Sequence, residues 1–88
     1  MKSHHTNATV WKNMREKAGL TQREVSDALG YSTPQFISNV ERGRCSFPIQ
    51  KLSKIKRLYK VSADQVINLV LAEEKTALLK VLKKSARN

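Results

Sequence analysis

Eighty-eight residues suffice for one small domain with a short extension, and the core they can build is modest. At 40% hydrophobic the chain is too apolar to be wholly disordered, yet no window approaches a membrane span. Seventeen Lys and Arg against seven Asp and Glu leave a net charge of +10 and a pI near 10.2, which implies an anionic partner. Nucleic acid is the first candidate and an anionic membrane surface the second. Cys45 is the only cysteine, so an internal disulfide and a cysteine-built zinc site are excluded. The opening MKSHHTNATVW holds no apolar run to serve as a signal peptide, and a cytoplasmic location is expected.

Residues 1–7 are polar and without periodicity, and read as an arm in which Lys2 is the one fixed charge. His4 and His5 are adjacent, a spacing that suits neither a helical metal pair nor a strand pair. From about Ala8, Val10, Trp11, Met14 and Ala18 recur at helical spacing. Thr6 or Asn7 can cap this first helix, and Gly19 ends it. Trp11 is expected in the core, with Lys12, Arg15 and Lys17 on other faces, open to solvent or phosphate.

Thr21 opens a second helix with a capping box to Glu24. Val25, Ala28 and Leu29 make its buried side, and Gly30 stops it. Gln22 sits in the first turn, where amide groups can hold a phosphate. After the turn, Thr33 is the expected cap and Pro34 the first residue of a third helix, with Ser32 and Gln35 as a competing capping box. Ile37 and Val40 face inward, which leaves Gln35, Ser38, Asn39 and Arg42 outside until Gly43. Those side chains donate and accept hydrogen bonds of the kind that read base edges in a major groove. Phe36 either packs in the core or presents its ring to a thymine methyl. Two short helices with a tight connection, the second polar on its outer face, have the form of a helix-turn-helix.

Arg44 to Pro48 reads as a loop, and Pro48 starts a fourth helix with Ile49, Leu52, Ile55, Leu58 and Tyr59 inward. Lys51, Lys54, Lys56 and Arg57 point outward. Arg44, Lys51 and Lys54 are candidate phosphate contacts, beside Gln22 and Thr33. Val61 plugs the next junction, and Ser62 with Gln65 makes a further capping box, Asp64 complementing the helix dipole. Residues 62–88 contain no Gly or Pro, so they form either one long helix or two helices with a break near Glu73. Their apolar residues exceed what a four-helix core needs. Self-association, a return onto the monomer core and membrane contact are the three uses open to that surplus.

The order GLTQREVSDALGYS, FISNVERG, FP and KVSADQVI closely resembles the Cro/repressor-type helix-turn-helix, the xenobiotic-response-element family, from roughly Val10 to Leu69. The resemblance implies an all-α, five-helix lambda-repressor-like domain with an extended or additional C-terminal helix. The expected division is an arm at 1–7, the DNA-binding domain at 8–71 and a helical extension at 72–88 that dimerises. It further implies a transcriptional regulator, a repressor of a palindromic operator, that binds double-stranded DNA as a homodimer. Gln22 resembles the family's phosphate-contacting glutamine, and Gln35, Ser38, Asn39 and Arg42 its recognition-helix positions. Glu41 resembles the structural glutamate before the glycine, and Arg15 the charge that pairs with it. Between Gly30 and Ile37 the chain has one residue more than the commonest family pattern, and Lys56 stands where a small apolar residue is usual. An antitoxin-type module that binds a partner protein through its last helix is the alternative, and a non-specific nucleoid protein a third. No catalytic constellation, metal site, cofactor motif or small-molecule ligand domain is expected.

Overall fold

A computed structural model describes residues 6–86 and, within them, the side chains of residues 7–83. Five α-helices follow one another: α1 (Thr6–Lys17), α2 (Gln22–Leu29), α3 (Gln35–Glu41), α4 (Leu52–Tyr59) and α5 (Ala63–Ala86). There is no strand among the described residues. The first helix already includes Thr6 and Asn7, which therefore lie in its first turn rather than in an arm. Asn7 reaches across to the hydroxyl of Thr76 on α5, a tie that helps hold this turn in place. His4, His5 and Lys2 lie outside the described residues.

Local signals set most of the boundaries. The hydroxyl of Thr21 accepts the Glu24 N–H at 3.0 Å while the Glu24 carboxylate accepts the Thr21 N–H at 2.8 Å. Ser62 and Gln65 repeat this reciprocal pair at the start of α5, at 3.1 and 2.9 Å. Each box satisfies two backbone donors that a helix start leaves open. Lys60 closes α4 with φ 57°, a left-handed position usually given to glycine. The regular part of α3 starts at Gln35, one residue after Pro34. The Thr33 hydroxyl still accepts the Gln35 N–H at 3.3 Å, whereas the Ser32–Gln35 box does not form, because the Gln35 amide turns to Asn39.

Trp11, Val25, Leu29, Ile37, Val40, Ile55 and Tyr59 form the centre of one core, with Val66 and Leu69 closing it from α5. Trp11 meets Phe47 edge-on, ring centroids 5.0 Å apart, and Phe36 lies half-buried between Tyr31 and Phe47. Phe36 thus serves the core. Two expected inward positions are corrected. Ala28 is exposed, because Val25, Leu29 and Ser26 turn the inner face of α2 away from it. Ile49 is 79% exposed, because Ile49–Lys51 is a 3-10 turn that breaks phase with the Leu52–Tyr59 helix, while Phe47 fills the space behind.

α5 is a single helix of 24 residues, about 36 Å at 1.5 Å per residue, and accounts for the long axis of 44 Å. No break occurs at Glu73. Its carboxylate faces inward and accepts the Trp11 indole N–H at 2.9 Å, which fastens the middle of α5 to α1. Burial pushes the Glu73 carboxyl above its ordinary range, the neighbouring Glu74 adds to this, and the Trp11 hydrogen bond opposes it.

Candidate nucleic-acid interface

The α2–turn–α3 unit is built around two buried polar groups. Ser26 is fully buried, and its hydroxyl lies within hydrogen-bond reach of the carbonyls of Thr33 and Tyr31, so the turn is tied from inside. Gly30 ends α2 at φ 87°, where an L side chain is strained, and the Tyr31 N–H then returns to the Ser26 carbonyl at 2.9 Å.

Glu41, the last residue of α3, is the second group. Arg15 grips its carboxylate with two parallel bonds, Nε to Oε2 at 2.7 Å and Nη2 to Oε1 at 3.0 Å. The same guanidinium donates from Nη1 to the Leu20 carbonyl at 2.8 Å, and the Gln22 amide donates to Glu41 Oε1 at 3.0 Å. Both charged side chains are at least nine-tenths buried. One carboxylate therefore joins α1, the start of α2 and the end of α3. Arg15 is thus a structural residue, and the reading of it as open to solvent or phosphate is corrected: Glu41 has captured it. That hydrogen bond also raises the Arg15 pKa, against the burial that lowers it.

With Ile37 and Val40 locked inward, the outer face of α3 presents an exposed Gln35 and half-buried Ser38 and Asn39. Gln35 Nε2 donates to Asn39 Oδ1 at 3.0 Å, so the two amides form one unit. It leaves the Gln35 oxygen as an acceptor and the Asn39 NH₂ as a donor. Arg42 is exposed just past the helix, where its backbone N–H still bonds to α3 carbonyls. Thr33 and Arg44 are exposed at either end of this surface.

The two lysines of the fourth-helix region do not point freely outward. Lys51 is half-buried, donates to the Leu29 carbonyl at 2.9 Å and lies 5.4 Å from the centre of the Tyr31 ring. Lys54 is exposed and reaches the Ala28 carbonyl at 3.4 Å. Both satisfy the open carbonyls at the C-terminal end of α2, where the helix dipole favours a cation. Each ammonium keeps further donors for a phosphate. Arg23 is exposed in the first turn of α2, next in sequence to Gln22.

Cys45 is half-buried, and burial pushes its thiol up, the direction opposite to an activated thiolate. Among the described residues no group of His, Cys, Asp or Glu could hold a metal ion, and no helix is long and apolar enough to cross a membrane.

A buried-anchored helix pair with a polar, amide-bearing outer helix on a basic chain defines a DNA-binding helix-turn-helix domain. A family model described as Helix-turn-helix matches residues 12–66. The chain belongs to that family, in its Cro/repressor type, and is a DNA-binding transcriptional regulator. No curated protein and no solved structure matches the chain.

Proposed function

We propose that the protein is a sequence-specific repressor that binds a palindromic operator as a homodimer, with α3 in the major groove. The observation that carries this reading is the outer face of α3, whose polar side chains stand on a helix fixed at its far end by Arg15 and Gln22 through Glu41. Gln35, Ser38, Asn39 and Arg42 read base edges in this account. The joined Gln35–Asn39 amides offer one acceptor and one donor, the complement of adenine N6 and N7. Arg42, outside the helix proper, is suited to guanine or to a phosphate.

Gln22, Thr33, Arg44, Lys51 and Lys54 contact the backbone of the duplex. Gln22 keeps one amide N–H beyond the one bound to Glu41, so anchoring α3 and holding a phosphate are compatible. The net charge of +10 supplies affinity for any duplex, and the α3 side chains supply the choice among duplexes. Two copies on a twofold axis would set their α3 helices about 34 Å apart, one turn of DNA. Occupation of such a site in the cytoplasm represses by excluding other proteins from it.

Selection of bound duplexes from a random pool at fixed salt tests this reading. An inverted repeat with an invariant A·T pair in each half is expected. Recovery of duplexes with no common sequence supports a non-specific nucleoid protein instead.

A further inference from the structure

α5 carries two apolar faces. Val66 and Leu69 are buried against the core, with Glu73 on the same side bonded to Trp11. Ile67, Leu71, Leu78, Leu79, Val81 and Leu82 are 49–61% exposed, and apart from Ile49 they are the exposed large hydrophobic residues among those described. This second face lies beyond residue 66, where the family match stops. Through Ile67, Leu71, Glu74, Leu78 and Val81 the spacing alternates four and three, so these side chains form one stripe about 21 Å long.

The stripe has a charge at its middle. Glu74 lies within it and Lys75 at its edge; both are exposed and neither forms an ion pair among the described residues. A partner that covers the apolar residues must also answer these two charges, since an unpaired buried charge is costly. A second copy does so in one orientation. In a parallel pair Glu74 faces Glu74 and Lys75 faces Lys75, and the basic ends with Lys80 and Lys83 lie side by side. In an antiparallel pair each glutamate meets a lysine, and each basic end runs beside the segment that carries Asp64.

We propose that α5 pairs with α5 of a second copy in antiparallel orientation, about a twofold axis through the Glu74–Lys75 peptide. Glu74 then lies beside the partner's Lys75, Leu71 beside the partner's Leu78, and Ile67 beside the partner's Leu82. The pairing rests on the homodimer proposed above and adds its orientation and register. It also explains why the stripe is interrupted where it is: the two charges exclude the parallel dimer and any slipped register that leaves them unpaired.

Charge exchange in the full-length chain tests this directly by sedimentation equilibrium. Glu74→Lys and Lys75→Glu should each weaken the dimer at least about tenfold, because like charges then meet across the interface. The double variant Glu74→Lys/Lys75→Glu should return to within about threefold of the original, since it restores both pairs in reverse. In a Cys45→Ser background, Ile67→Cys with Leu82→Cys should cross-link under oxidation, and either change alone should not. Cross-linking by Ile67→Cys alone would overturn the orientation. So would a wild-type chain that stays monomeric until another protein covers the stripe, or single charge variants that dimerise normally. Binding to a duplex with one half-site separates the two readings. It should persist in Glu74→Lys, and its loss in folded wild-type protein would count against DNA reading by α3, leaving the pairing of α5 standing.

Discussion

Glu41 is the residue on which the placement of α3 depends, because its carboxylate is the one group among the described residues bonded to both Arg15 and Gln22. Glu41→Ala leaves a buried guanidinium without its partner, and should destabilise the domain by roughly 3–5 kcal/mol. Against a total of about 5–15 kcal/mol for a domain, this is a large fraction. Thermal denaturation should show a melting temperature lower by more than about 10 °C. Asn39 and Arg44 separate two other roles. Asn39→Ala should cost about 1–3 kcal/mol on the preferred duplex and little on its single-base variants at the position that it reads. Arg44→Ala should weaken binding to every duplex alike and reduce the slope of log K against log salt by about one. Competition titrations over a salt series distinguish the two outcomes. The Arg15–Glu41 pair was legible through the family resemblance, since its two members are 26 positions apart and no local pattern joins them. Ser26 was not legible. A serine in a helix reads as a surface residue until the carbonyls of Tyr31 and Thr33 are seen to fold back over it.

Among the elements, α5 shows most clearly which signals are local. Its Ser62–Gln65 start could be read from spacing alone, because both partners of a capping box lie within one turn. Its continuity past Glu73 could not. AEEKT looks like a polar interruption, and only the indole of Trp11, 62 positions earlier, turns Glu73 into an inward-facing residue. The same distance problem hid the ties from Lys51 and Lys54 to the end of α2, and a 3-10 turn put Ile49 out of phase. The buried Glu73 makes a pH prediction. Its pKa is raised in the folded state, so the native protein holds a proton that the unfolded chain has already released. Stability must then fall as pH rises from the ordinary carboxylate range through the raised value. Glu73→Gln keeps an oxygen for Trp11 and removes the titration. Urea denaturation across this range should show the downward slope shallower in the variant. An identical slope in both proteins would contradict the burial of that carboxylate.

At the scale of the whole molecule, one helix-turn-helix is held rigid by α1 and α4, and α5 leaves an apolar face open on the side away from the core. The all-α class and the position of α3 were legible because they rest on periodicity, caps and glycines, which act over a few residues, whereas the five-helix count came with the family resemblance. The α3 register was harder: an extra residue before Ile37 displaces the family pattern, and the Gln35–Asn39 bond is what places both amides on one surface. Net charge of +10 ensures affinity for DNA in general, so affinity by itself is a poor test. On the proposed function, α3 chooses among sequences. Selection of duplexes from a random pool, repeated with Gln35→Ala/Asn39→Ala, addresses this choice most directly. The wild-type protein should return an inverted repeat, and the folded double variant should lose the A·T preference in each half with the rest of the site retained. An unchanged site in the variant, or no common site for the wild type, would contradict the proposal.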